Sequence, residues 1–309
     1  MFDCFPFGGE LELLRLRLEL LDDVVDHFVL AEAPTTFSGI PKPLFYQDHR
    51  DEFAAWNGKI IHVVVDDMPV PDPTTNNRWP PERFQRRALT RGLADADPDD
   101  LVLISDVDEL IDPTAVSGPL SVVTEPVAIE MTTNMLRANW HYKWHTDRAR
   151  AGSASLLGDL QDLRDSEPSM AVRHGGAHFS YLMDRDAIIA KLAGAAHDEF
   201  DTDVYRHPAY LDLCLRIGYF PLDGVALTVI PVDQLDPVER FVFDRRPDLF
   251  DFELPLRSRM QPVLDPYLAL RQRRRFPAAA RRLIDEALLG LAHRAEPSGR
   301  APRRPRPLR

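Results

Sequence analysis

Cysteine is nearly absent from this chain: its 309 residues include two, Cys4 and Cys214. So few thiols, so far apart, form neither a disulfide framework nor, alone, a zinc site. Lysine is scarce too, at four of the 37 basic residues, and the arginine excess reads as compositional bias rather than as a demand for forked contacts everywhere. Apolar runs are short: Ile60 to Val65 is interrupted by His62, and Leu101 to Ile104 is four residues long. Both fall below the roughly 20 residues that cross a bilayer. The opening Met1-Phe2-Asp3-Cys4-Phe5-Pro6 lacks a basic stretch followed by an apolar one, so no secretory signal is read and a cytoplasmic location is expected. Glycine-rich phosphate loops are missing as well. Gly8-Gly9 and Gly175-Gly176 are isolated pairs, which removes support for nucleoside-triphosphate and nicotinamide chemistry.

What the chain does have is apolar and charged content in globular proportion, 44% and 28%, enough for one large core. Its charge is unevenly spread. From Arg271 to Arg309 there are 12 Arg against three acids, a net of +9, while the whole chain carries −12; the preceding 270 residues therefore carry −21. A body so acidic repels a nucleic-acid backbone, so no nucleic-acid partner is expected. The basic tail reads as a solvated, disordered end; attraction to an anionic membrane surface is the second reading, worth about 1 kcal/mol per basic residue.

Leu11, Leu14, Leu18 and Leu21 recur at intervals of three and four and predict a helix over 10–21. Strands are predicted at 24–30, 59–65 and 99–105, with a helix over 82–93 before the last of them. Strand-like segments follow from 127 to 144, a short strand or loop at 174–182, helices at 186–196 and 211–217, a late strand at 225–230 and a helix in the 280s. Strand and helix alternate over the first 110 residues, which predicts an α/β fold with a mainly parallel central sheet flanked by helices. Residues 1–265 are expected to form one domain, and 266–309 a C-terminal helix with a partly disordered tail. Ligands of such sheets sit beyond the carboxyl ends of the strands.

At one such end stands Ser105-Asp106-Val107-Asp108-Glu109, directly after the apolar run Leu101–Ile104. Asp106 and Asp108, two apart, can converge if the chain turns there. Clustered carboxylates attract a hard divalent cation, Mn²⁺ or Mg²⁺, which is often shared with a substrate diphosphate. A solvated acidic turn is the bland alternative. An aspartyl-phosphate phosphatase is another, although Glu109-Leu110 stands where that chemistry usually has Gly and Thr.

Several blocks, taken in order, resemble glycosyltransferase family 17: Asp3-Cys4-Phe5-Pro6-Phe7, Val24-Val25-Asp26, Thr36-Phe37-Ser38-Gly39, Lys42-Pro43-Leu44, Lys59-Ile60-Ile61-His62-Val63, Glu82-Arg83-Phe84-Gln85-Arg86, Ser105 to Glu109, His178-Phe179-Ser180-Tyr181 and His197-Asp198-Glu199-Phe200. The chain is identified as a soluble, bacterial-type member. The resemblance implies a GT-A-like fold, a UDP-sugar donor with UDP-GlcNAc expected, a divalent metal, and inverting N-acetylglucosaminyl transfer to a hydroxyl of a glycan or lipid-linked sugar. By the same resemblance, Asp106 and Asp108 match the family's Asp-x-Asp and bind metal and donor. Pro80-Pro81 and Arg87 depart from the family pattern, which tends to Asn in that loop. The alternative function is a nucleotide-sugar-binding protein of the same fold that does not turn over.

The other candidates come from residue type and place. Inverting transfer needs a carboxylate to take the acceptor's proton, and Asp198 or Glu199 is expected to do so, Glu199 having the longer reach. His178 and His197 compete as a further metal ligand. Glu32, Ser38 and Gly39 follow the first strand, where uracil and ribose are expected; Gly39 also reads simply as a turn. Arg83 and Arg86, three apart on a helix, suit diphosphate oxygens or surface ion pairs. Trp140, Tyr142 and Trp144 alternate and suit either an acceptor sugar or the core.

Overall fold

The computed structural model describes residues 1–71, 77–120, 123, 125–156, 158–197, 200–254, 257–271 and 278–294. In chain order its elements are β1 (Phe2–Phe7), α1 (Leu11–Leu21), β2 (His27–Glu32), α2 (Phe45–Asp48), β3 (Ile60–Val64), α3 (Trp79–Ala88), β4 (Leu101–Ile104), β5 (Glu109–Ile111), α4 (Pro113–Ser117), β6 (Val127–Met135), β7 (Trp140–His141), β8 (Thr146–Ser153), α5 (Leu160–Asp165), β9 (Met170–Val172), β10 (Gly176–Ser180), α6 (Arg185–Gly194), α7 (Pro208–Ile217), β11 (Thr228–Val229), α8 (Pro237–Arg245), α9 (Arg257–Arg271) and α10 (Ala278–Arg294).

One mixed sheet runs in the order β11-β7-β6-β8-β4-β1-β2-β3. Its parallel part is β3-β2-β1-β4; antiparallel pairing begins where β8 joins β4. The α/β architecture is therefore as expected, with four parallel strands at one edge and β9 and β10 pairing parallel to β6 beyond β8. Alternation along β1 and β2 feeds two layers. Phe5, Phe7, Phe28 and Leu30 meet Leu14, Leu18 and Leu21 of α1 on one face. Phe2, Cys4, Val29 and Ala31 meet Ala88 at the end of α3, Leu89 just after it, and Leu160 and Leu163 of α5, on the other.

The central strand β1 is absent from the sequence prediction, because Asp3 and Pro6 interrupt its apolar run. Pro6 is tolerated for a geometric reason. Cys4 O accepts from Ser105 N on the β4 side, and alternation turns position 6 to that same side. There β4 pairs only as far as Cys4, so the amide hydrogen that proline lacks has no partner to lose. The strand predicted at 24–30 lies slightly later, at His27–Glu32, and the late strand shortens to Thr228–Val229.

Beyond the sheet, α10 lays Leu288 and Ala292 against Ala209, Leu213 and Ile217 of α7 and Leu264 of α9. The expected division at 265/266 falls inside α9, and the tail from 295 lies outside the described residues. No described helix is long and apolar enough to cross a membrane.

At the start of α8, Asp236 caps the helix: its carboxylate accepts from Glu239 N, and Glu239 returns a bond from Asp236 N. Burial and the Glu239 charge push the Asp236 carboxyl up to about 6. The stability that its proton contributes is complete below the ordinary carboxylate range and is lost as pH rises through about 6. Asn caps equally well without a charge. Asp236→Asn should therefore match the wild type in melting temperature near pH 4 and exceed it by a margin that grows to about 1–3 kcal/mol at pH 7.5. Melting curves across that range check it, and a constant difference refutes it.

Candidate functional site

The carboxyl ends of β1, β2 and β4 point the same way, and the charged residues converge there. After β4 the chain makes a tight turn in which Glu109 N donates to Asp106 O at 2.9 Å. The Glu109 carboxylate folds back to accept from Asp106 N at 2.8 Å. Both aspartates of the Asp-x-Asp therefore sit on one fixed turn. β10 closes it from the side: His178 pairs with Glu109 in antiparallel register, and Phe179 N donates to Asp108 O. Gly176 makes this approach feasible, since a Cβ there would lie 2.2 Å from Leu110 O.

The two aspartates have different neighbours. Asp106 is gripped by guanidinium groups, with Arg86 Nη2 at 2.9 Å from Oδ1 and Arg164 Nη2 at 3.1 Å from Oδ2. Burial opposes its charge, yet Arg164 and Arg86 hold its carboxyl well below the usual carboxylate range. Asp108 faces His178, with Oδ1 and Nε2 3.5 Å apart, while Lys191 Nζ stands 3.6 Å from Oδ2 and 3.5 Å from Glu10. Burial again opposes ionisation, and His178 and Lys191 outweigh it, lowering the Asp108 carboxyl. Around Arg86, Glu82 offers Oε1 at 2.9 Å, and burial raises its carboxyl against the pull of that arginine.

Two donors that share one first-row cation at about 2.1 Å each stand roughly 3–3.5 Å apart. The Asp108–His178 pair fits that spacing, with an oxygen and an imidazole that suit Mn²⁺. Asp106 differs in that both its oxygens already accept from arginines, so among the described residues the pair whose spacing suits an ion is Asp108 with His178. No set of three His, Cys, Asp or Glu side chains forms a cage among the described residues. A site that borrows its remaining ligands from substrate phosphates is built in this incomplete way.

His197 lies elsewhere on the rim, its ring against Trp79 at 4.7 Å and Phe200 at 5.6 Å. Asp198 and Glu199 lie outside the described residues. Arg86 is in the site, whereas Arg83 turns outward to Asp165 at 2.8 Å. Glu32 is fully buried, accepting from Tyr46 N at 3.1 Å, with His62 at 3.3 Å. Ser38 bonds Thr36, and Gly39 takes a φ of +82°, which fits its turn reading. Of the aromatic trio, Trp140 is buried with Nε1 donating to Asp251 O, the Tyr142 hydroxyl is bound to Asp223, and Trp144 alone is exposed.

Lys191, Arg164, Glu82 and Arg17 were not singled out as site residues by the sequence. Only Arg17 carried a signal: it shares the stripe of Leu14, Leu18 and Leu21, where an apolar residue is expected.

The chain is 30% identical over 151 residues to the β-1,4-mannosyl-glycoprotein 4-β-N-acetylglucosaminyltransferase of Rattus norvegicus and to that of Homo sapiens, covering 45% of this chain and 27% of each relative. It thus spans about a quarter of their length. Among solved structures, the mannosyltransferase PcManGT from Pyrobaculum calidifontis, in complex with GDP-Man and Mn²⁺, is matched at TM-score 0.34 and 12% identity over 94% of this chain and 85% of that one. S. aureus TarS 1–349 is matched at TM-score 0.34 and 10% identity over 96% and 91%. The family model for glycosyltransferase family 17 matches residues 1–200, which hold the whole parallel sheet edge, the Asp106–Glu109 turn and His178, and the chain belongs to that family.

Proposed function

We propose that this glycosyltransferase is metal-dependent and inverting, and that it moves GlcNAc from UDP-GlcNAc to a hydroxyl of a glycan or lipid-linked sugar. The observation that carries the reading is the Asp108–His178 pair, 3.5 Å apart, beyond the carboxyl end of β4 among arginine and lysine side chains. Asp108 and His178 would hold Mn²⁺ or Mg²⁺, which when bound offsets charge on the departing diphosphate. Arg86, Arg164 and Lys191 surround that position and supply fixed positive charge without reorganisation. Asp106, kept ionised by its two arginines, is suited to accept hydrogen bonds from donor hydroxyls. Lys42, half-buried near Glu32 and Glu10 with no hydrogen-bond partner for Nζ among the described residues, adds a further donor for phosphate or base oxygens. The acceptor's proton goes to the Asp198–Glu199 pair, which follows His197 directly in sequence. Displacement of UDP from the face opposite the acceptor inverts the sugar carbon.

A ligand that binds the folded state raises its melting temperature by mass action. UDP-GlcNAc with Mn²⁺ should stabilise the protein, and each alone should do so much less. Slow UDP release from UDP-GlcNAc should accompany it. Binding without release under any acceptor would leave a non-catalytic nucleotide-sugar-binding protein. No stabilisation by any UDP-sugar would refute the proposal.

A further inference from the structure

We infer that Arg17, paired with Asp3, is a positioning residue that sets the shape of the Asp106–Glu109 turn; the inference rests on the transferase reading above. Arg17 lies in the middle of α1 and Asp3 in β1, and both side chains are fully buried. A guanidinium group has five N–H bonds to place, and here every one is used. Nε donates to Asp3 Oδ2 at 2.7 Å, and Nη2 to Asp3 Oδ1 at 2.5 Å. The second Nη2 hydrogen goes to Ser105 Oγ at 2.5 Å. Nη1 donates to the carbonyls of Asp106 and Glu109, each at 2.9 Å.

Stability alone requires that the three N–H bonds not given to Asp3 find some acceptor, but not that all three find it on one distant segment. Buried ion pairs of that kind are often replaceable by apolar side chains at little cost. The other three bonds all end on the Asp-x-Asp segment, 88 to 92 residues away in sequence. Two of them draw the first and last carbonyls of the turn toward α1, and the Asp106 carbonyl also accepts the turn's own bond from Glu109 N. With those carbonyls fixed on the helix side, the peptide planes after Asp106 and after Glu109 are set, one on either side of Asp108. The Asp108 carboxylate then faces His178. Phe5 backs the guanidinium at 4.5 Å from its ring centre, so the fork cannot swing away. Lysine cannot replace it, since an ammonium is a single point of charge and lacks the planar fork.

The test uses the full chain with two variants. The double substitution Asp3→Leu/Arg17→Met removes the buried charges together and leaves apolar groups of similar size. Ser105→Ala keeps the ion pair and removes only one acceptor of the brace. UDP affinity is measured by titration calorimetry in saturating Mn²⁺, Mn²⁺ binding by loss of its free-ion electron paramagnetic resonance signal, and folding by thermal melting. The double variant should melt near the wild type yet bind UDP with Mn²⁺ some 10- to 100-fold more weakly, the size of loss typical when the groups that orient a metal ligand are removed. Ser105→Ala strands one buried Nη2 hydrogen, so it should stay folded with a modestly lower melting temperature and bind about threefold more weakly. Wild-type affinity in any variant that folds overturns the inference, and Ser105→Ala decides it alone if the double variant does not fold. A wild-type protein that binds neither UDP nor Mn²⁺ instead refutes the transferase reading, a distinct result.

Discussion

Asp108→Asn is expected to lower UDP release from UDP-GlcNAc in Mn²⁺ by about 10³-fold or more while leaving the protein folded. The substitution keeps the shape of the side chain and removes its charge. In the native site that charge faces His178 Nε2 at 3.5 Å and Lys191 Nζ at 3.6 Å. Without it an imidazole alone would remain to hold the proposed cation, and a hard cation prefers anionic oxygen. The loss falls on the step in which charge grows on the leaving diphosphate, where fixed electrostatic partners contribute several kcal/mol. The fold has little reason to change. Lys191 keeps Glu10 at 3.5 Å, and the bond from Phe179 N to Asp108 O is made by the backbone. The lowered Asp108 carboxyl stabilises the fold above its unfolded-state pKa, and that contribution is lost as pH falls through the folded value. The variant should therefore lose a modest increment of stability near neutral pH and none in acid. Retention of more than a tenth of wild-type turnover, with normal melting, would remove Asp108 from the reacting site.

Four consecutive apolar residues before Asp106 made β4 and its carboxylates legible in the sequence, because an uninterrupted run of that length is what a strand covered on both faces requires. The helix at α1 was legible from its leucine spacing for the same kind of reason. β1 was not, since local pattern cannot show that Pro6 sits where its neighbour strand has already ended. Arg17 shares the stripe of Leu14, Leu18 and Leu21, and the local pattern alone gives no reason for a charge there. Only the fold reveals that Asp3 and two carbonyls of a distant turn lie beneath it. Glu32 shows what position along a strand leaves out. Its place at a strand's carboxyl end pointed to the nucleotide, but the amide of Tyr46 and the ring of His62 enclose it. The alternation of Trp140, Tyr142 and Trp144 put them on one side only if the chain stayed extended; β7 ends at His141, and the three rings meet different surroundings. Arg83 and Arg86 were indistinguishable by spacing, and the carboxylates on either side, Asp165 and Asp106, separate their roles.

Arg164→Met should be the most destabilising of these substitutions, at about 3–5 kcal/mol near neutral pH, because it leaves Glu109 without a cation and Asp106 with Arg86 alone. Arg164 is 6% exposed and reaches Glu109 Oε2 at 2.6 Å, Glu109 Oε1 at 3.1 Å and Asp106 Oδ2 at 3.1 Å. Once it is gone, Glu109, itself 2% exposed, keeps only the bond from Asp106 N. A buried carboxylate left in this way recovers part of the cost by taking up a proton. The deficit relative to wild type should accordingly shrink as pH falls from 7 toward 4, since the variant gains from that proton uptake while the wild type's depressed Asp106 carboxyl keeps its contribution until pH drops below the ordinary carboxylate range. Adding Glu109→Gln removes the stranded charge yet leaves an oxygen to accept from Asp106 N. It should restore about half of the lost stability in the Arg164→Met background, although it is destabilising where Arg164 is present. Denaturant melts of the four proteins give the coupling directly. A cost below about 1 kcal/mol for Arg164→Met, or additive effects of the two changes, would show that the turn is not held by this charge pair.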